Sequence, residues 1–151
     1  MNATEDWLVV GAEIAGPVRT MTAERIEWYD SGLRSAARGV LTQVGVNIHT
    51  DDAYARAQGL PGVIGDGMIM TNWCSSMLTA HFGMDYLERG ELRTKFIKPV
   101  YRDVRVSTHG KIRSIDTADD GSVVIDLAIW CQDQNGLKLT DGDAKIRRPR
   151  G

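Results

Sequence analysis

From Gly67 to Phe82 the chain reads Gly-Met-Ile-Met-Thr-Asn-Trp-Cys-Ser-Ser-Met-Leu-Thr-Ala-His-Phe. Met70, Trp73, Cys74, Met77 and Leu78 recur at intervals of three and four, the spacing of one helical face. Met68, Ile69 and Ala80 extend apolar surface beyond that face. A helix that is apolar on most sides cannot rest on a surface. It has to be enclosed, so the remaining chain must wrap it.

The downstream sequence supplies the wrapping, because its period changes from helical to two. Leu92, Thr94 and Phe96 alternate with Arg93, Lys95 and Ile97, and Pro99 marks an edge or bend. Val104, Val106 and Thr108 alternate with Arg105 and Ser107. Val123, Ile125, Leu127 and Ile129 alternate with Val124, Asp126, Ala128 and Trp130, and Ala144 and Ile146 close the series. Turn residues fall between these runs, at Thr117–Gly121 and at Asp133–Gly136, where Asn135-Gly136 predicts a hairpin tip. The expected class is α+β: a central helix at about 67–82 followed by three or four long antiparallel strands, all within one domain over 1–151. A chain this short leaves part of such a sheet uncovered, so a homodimer or higher homo-oligomer is expected.

Upstream, Val18–Met21 predicts an edge strand. Thr22 is placed to cap a helix whose buried face is Ile26, Tyr29 and Leu33, with Ser31-Gly32 as its stop. Arg34–Val46 reads as irregular because Gly39 and Gly45 interrupt its helical spacing. Asp51–Ala57 reads as a short helix capped by Thr50 or Asp51, broken by Gly59-Leu-Pro-Gly62.

Composition removes several functions. At 42% hydrophobic and 25% charged the chain is globular rather than disordered. A net charge of −2 argues against nucleic acid or anionic membrane as a partner. The N-terminus lacks a signal peptide's basic start and apolar stretch, and no run reaches the roughly 18 apolar residues of a membrane span, so the cytoplasm is the expected location. Cys74 and Cys131 lie in apolar surroundings and read as reduced core residues. No metal-ligand spacing, nucleophile elbow or phosphate loop occurs, and no cofactor is implied.

The chemistry-bearing residues gather just before the apolar helix. His49 precedes an acidic pair, Asp51 and Asp52. Asp66 stands between Gly65 and Gly67 at the helix start, where it serves as a cap and can also act on a substrate or on His49; Asp51 has the same two readings. Asn47 can position a loop or a ligand. Gly67 allows a carbonyl oxygen to approach its N–H closely, and a helix N-terminus favours negative charge. Met70 and Trp73 pack the core or line an acyl pocket. His81 and His109 read as structural or exposed. Arg93, Lys95, Lys98 and Arg102 form a solvated face or a patch for phosphate.

Asn47-Ile-His-Thr-Asp-Asp-Ala-Tyr-Ala-Arg-Ala-Gln-Gly-Leu-Pro-Gly-Val-Ile-Gly-Asp-Gly-Met68 resembles the hydratase segment of the MaoC-like enoyl-thioester hydratases and dehydratases. Phe96–Asp103 is similar to that family's strand after the helix, and Arg19–Tyr29 to its opening strand and first helix. The resemblance implies a hotdog fold, a curled antiparallel sheet around a long helix, dimerised. It implies an acyl thioester of coenzyme A or acyl carrier protein as substrate. It also implies that a His and an Asp hold the water exchanged with a 2-enoyl or 3-hydroxyacyl group, while a backbone N–H at the start of the helix binds the thioester oxygen. On this basis His49 is the acid/base and Gly67 the oxyanion donor. The family's Asp, which lies shortly before its His, has no counterpart here, and Asp66 or Asp51 is the candidate substitute. That departure leaves two alternatives open. One is cyclisation, isomerisation or thioester hydrolysis of a specialised substrate; the other is a non-catalytic acyl-binding partner subunit.

Overall fold

The computed structural model describes residues 6–40 and 45–149. Three long strands dominate it: β4 (Arg105–Thr117), β5 (Val123–Asp133) and β6 (Lys138–Arg148). They follow one another as antiparallel hairpins, and the second turns at Gly136, whose φ of 80° is in the left-handed region that Asn-Gly turns require. β3 (Gly90–Phe96) adds to β6 at one edge. β1 (Glu13–Ala15) and β2 (Arg19–Thr20) add to β4 at the other, giving the order β1-β4-β5-β6-β3 with β2 also on β4.

The period-two pattern decides which face is inside. On β5, Ile125, Leu127, Ile129 and Cys131 are all buried; Val106 and Ile112 of β4 and Leu139, Ala144 and Ile146 of β6 join them. This concave face receives the apolar helix, α3 (Gly67–Phe82), whose Ile69, Met70, Trp73, Cys74, Met77, Leu78 and Phe82 are buried. Burial on most sides is not met: Met68 and Ala80 join Asn72 and Ser76 in an exposed stripe, four residues apart, on the side turned from the sheet. The Cys74 and Cys131 sulfurs meet across the helix–sheet boundary at 3.4 Å as free thiols. The bond to Cys131 and then burial raise the Cys74 thiol pKa far above its ordinary value. Hydroxyl pairs fasten the flanks of α3: Thr71 to Thr94 of β3 at 2.6 Å, and Ser75 to Tyr86 at 2.9 Å. Trp7 closes the far end, with its ring edge-on to Phe82.

Three local expectations differ from the structure. α1 (Ala23–Arg38) continues through Ser31-Gly32 for nearly two more turns. A mid-helix glycine costs about 1 kcal/mol. The Asp30–Arg34 ion pair spans it, and Gly39, at φ 69°, ends the helix by donating its N–H to Ser35 O. Residues 34–38 are therefore helical rather than irregular, while 41–44 lie outside the described residues. Of the face assigned to α1, Ile26 is buried and Tyr29 half-buried, but Leu33 is 50% exposed. A further helix, α4 (Met84–Arg89), lacks an apolar repeat; its Tyr86 docks on Ser75, and its Asp85 pairs with Arg148 of β6 at 2.8 Å. The short helix α2 (Asp52–Ala57) and the opening strand β2 stand close to where their sequences place them. Among the described residues no helix is long and apolar enough to cross a membrane.

The helix–sheet contact is the main cohesive element. Leu78→Ala, at a fully buried position, is expected to lower unfolding free energy by about 2–5 kcal/mol. Urea denaturation measures this; a loss below about 1 kcal/mol would show that α3 is not enclosed as described.

Candidate active site

The site is built around three residues of extended chain, Val63 to Gly65, that lie between two other segments. On one side, Ile64 N–H donates to Ile48 O at 3.2 Å. On the other, Gly65 N–H donates to Val100 O at 2.7 Å, and Arg102 N–H to Val63 O at 3.2 Å. α2 braces this strip. Asp51 caps the helix by accepting from Tyr54 N–H, and Asp52 reaches across to accept from Val63 N–H and from Arg102, each at 2.9 Å. Met21 packs against the strip: a Cβ on Gly65 would sit 2.7 Å from its sulfur, so any larger residue would force the Met21 side chain to move.

His49 is held against the strip by its ring. Nδ1 lies 2.9 Å from Ile64 O. A carbonyl oxygen can only accept, so Nδ1 carries a proton, and in the neutral form of the ring the lone pair is on Nε2. A second anchor holds its backbone, whose N–H donates to Asn47 Oδ1 at 2.7 Å.

Opposite His49 begins α3. Asp66 caps it by accepting from Met68 N–H at 2.8 Å through Oδ1. Among the described residues Gly67 N–H has no acceptor, so the first donor of the helix remains available. Gly67 also packs against the Phe96 ring: a Cβ there would fall 2.8 Å from it. His49, Gly65, Asp66, Gly67 and Met70 thus line one cleft of about 430 Å³, whose other wall is Phe96 to Val100. That volume suits a small acyl group. One cation, Lys98, stands on that wall. Tyr29 of α1 approaches the same helix start. Burial and then the Asp66 charge raise its phenol pKa, while a bond from the Asn72 side chain lowers it.

Three residues singled out in the sequence stand outside the cleft. Asp51 is the α2 cap. Asn47 does not line the cleft; its side-chain oxygen accepts from the His49 backbone. Trp73 is buried under the guanidinium groups of Arg19 and Arg25, 5.8 and 5.4 Å from its ring centre. His81 bonds Met77 O, and His109 stacks on Trp130, where burial lowers its pKa. The wall Phe96–Val100 carried a sequence signal, Pro99-Val100 after an alternating run, that did not mark it as part of the site. Asp30, which reaches Asn47 from α1, carried none. Among the described residues no group of three or more His, Cys, Asp or Glu side chains is placed to hold a metal ion.

No protein-family model matches the chain, and no curated protein sequence matches it. Solved structures do. The MaoC-like dehydratase from Rhodospirillum rubrum superposes with a TM-score of 0.71 at 15% identity, over 95% of this chain and 94% of that one. The fold is a hotdog fold. The monoamine oxidase regulatory protein from Archaeoglobus fulgius matches with a TM-score of 0.70 at 19% identity, covering 95% and 93% of the two chains. The (R)-hydratase from A. caviae involved in PHA biosynthesis gives 0.68 at 17% identity, covering 95% and 99%. The hotdog helix and sheet are thus shared with MaoC-like dehydratases and R-hydratases.

The brace behind the cleft has a pH signature. The Val63 N–H, followed by Arg102, holds the Asp52 carboxyl below its ordinary 3.8. A depressed folded-state pKa contributes stability that is present above the unfolded value and is lost as pH falls through the folded one. The melting temperature of Asp52→Asn should therefore fall less steeply than that of the parent between about pH 4 and pH 2. Parallel slopes in thermal melts across that range would contradict the brace.

Proposed function

We propose that this chain is a hydratase or dehydratase of an acyl thioester, carried on coenzyme A or on a carrier protein. The observation that supports this most is the pairing of a free His49 Nε2 lone pair with an unoccupied Gly67 N–H in one acyl-sized cleft. A 2-enoyl thioester needs a base to take a proton from water as it attacks C3, and an acid to deliver one to C2. It also needs a donor for the negative charge that develops on the carbonyl oxygen. His49 serves the first two needs in turn, because an imidazole nitrogen can accept a proton from water and then give it up to carbon. Gly67 N–H, at the positive end of a sixteen-residue helix, serves the third.

Asp66 is the stronger candidate for the second water-holding group. Its carboxylate borders the cleft with one oxygen engaged by Met68 N–H, whereas Asp51 is engaged at the α2 cap. Two structures that share the fold are named a dehydratase and a hydratase, which agrees with this reading. In the reading, two copies of the chain associate through the sheet, leaving the cleft open to a thioester arm.

A second reading is favoured by Asp66 itself. A carboxylate bordering the cleft can itself take a proton from one carbon of an unsaturated acyl thioester and return it to another, which moves the double bond without adding water. Product mass separates the two, since hydration adds one water and isomerisation adds nothing.

The test is turnover of 2-enoyl-coenzyme A substrates of graded length. His49→Gln is expected to lower kcat by about 10²–10⁴-fold with the far-ultraviolet circular dichroism unchanged. Asp66→Asn keeps an oxygen for the cap and removes only the charge, and about 10²-fold loss of kcat is expected. Parent-like rates in His49→Gln would remove the imidazole from the reaction.

A further inference from the structure

We infer that Asp30 of α1 is a positioning residue for His49, acting through the carboxamide of Asn47. The inference rests on the role proposed for His49 and identifies what holds it. Asp30 is only 14% exposed in its side chain, and among the described residues each of its oxygens has one donor: Arg34 Nε at 2.9 Å on Oδ2, and Asn47 Nδ2 at 3.2 Å on Oδ1.

The orientation of the Asn47 amide is settled from both ends. An ionised carboxylate cannot donate, so the NH2 group must face Asp30. The His49 backbone N–H cannot accept, so the amide oxygen must face His49. The Asn47 backbone N–H is also occupied, donating to Thr50 Oγ1 at 3.1 Å. Arg34 reinforces the junction: its guanidinium lies against Gly45, where a Cβ would meet Nη1 at 3.2 Å. The continuation of α1 past Gly32 is what brings Arg34 to Asp30, so the helix and the His49 loop are one hydrogen-bonded unit.

Two anchors therefore fix the imidazole. Ile64 O holds the ring, and Asn47 Oδ1, oriented by Asp30, holds the backbone on which the ring pivots. A ring held only at Nδ1 can swing about that bond, and a displacement of about 1 Å costs up to about 10²-fold in rate. Hydrogen bonds to an ionised acceptor are stronger than neutral ones, which suits Asp30 to orienting the amide. No acid stands shortly before His49 in the sequence, and Asp30 supplies a carboxylate to this loop from the preceding helix.

The experiment uses the full chain as Asp30→Ala, Asp30→Asn, Asn47→Ala and the double variant Asp30→Ala/Asn47→Ala. Two quantities are read: kcat and KM for 2-enoyl-coenzyme A hydration, and the His49 ring proton resonance, assigned by its loss in His49→Gln. His81 and His109 serve as internal references. Asp30→Ala is expected to lower kcat about tenfold with KM changed less than about twofold. It should shift the His49 resonance but neither reference. Asp30→Asn, whose oxygen still accepts from Asn47, should recover most of both. The double variant should lose no more than Asn47→Ala alone, because the two residues act in series. The proposal is overturned if Asp30→Ala leaves the His49 resonance unmoved, if Asp30→Asn fails to rescue, or if the double variant shows additive losses. Should the parent hydrate no thioester, the resonance decides alone: a shift in Asp30→Ala reversed in Asp30→Asn supports the positioning role, and no shift rejects it.

Discussion

Enclosure of α3 is the constraint from which the rest of the structure follows. Its backbone hydrogen bonds are satisfied internally, but its buried face from Ile69 to Phe82 is apolar and water must be kept from it, while Met68, Asn72, Ser76 and Ala80 form an exposed stripe on the other side. The inner faces of β4, β5 and β6 remove the water on one side, with Ile125, Leu127, Ile129 and Ile146 packed to near-zero exposure. The polar start of the helix cannot be treated in the same way. Its first N–H groups have no partners within the helix, so they must emerge where something polar can meet them. Asp66 meets one. Gly67, without a side chain and pressed against Phe96, borders the cleft and leaves another without an acceptor among the described residues. Burial of the helix body and exposure of its donor end are two results of the same packing.

The site is assembled from segments that are distant in sequence and joined by backbone hydrogen bonds. Val63–Gly65 takes Ile48 on one side and Val100–Arg102 on the other, and the Ile64 carbonyl then orients the His49 ring. Because these are main-chain contacts, the orientation of the catalytic candidate depends on register more than on side-chain identity. This explains how the hotdog architecture is recognisable at 15% to 19% identity to solved structures while no family model matches. Backbone geometry survives substitutions that erase a sequence signature.

Much of this architecture is legible in the residues alone. The α3 helix stands at Gly67–Phe82 as its periodicity predicts, because seven buried side chains satisfy that periodicity. The alternation along β5 identifies the inner face residue by residue. His49, Asp66 and Gly67 come together because the segment carrying them is nearly continuous in sequence. Other features are not legible, each for a physical reason. α1 passes through Gly32 because the Asp30–Arg34 pair and the Gly39 cap outweigh a weak local breaker. α4 has too little apolar repeat to announce itself and depends on docking to Ser75 and Arg148. The spacing of Trp73 fits both a core residue and a pocket wall, and only the fold, which buries it under two arginines, decides for the core. Asp30 lies seventeen positions before Asn47, and no local pattern connects residues so far apart.

The central claim is that the Ile64 carbonyl fixes the His49 imidazole with its proton on Nδ1 and its lone pair on Nε2 turned into the cleft. Long-range proton–nitrogen correlation spectra of uniformly 15N-labelled protein, recorded at a pH where the imidazole is neutral, report the tautomer of each histidine. The account predicts the Nδ1–H form for His49, held at the expense of the Nε2–H form that free imidazole side chains prefer. An Nε2–H tautomer, or the averaged pattern of an unrestrained ring, would contradict it.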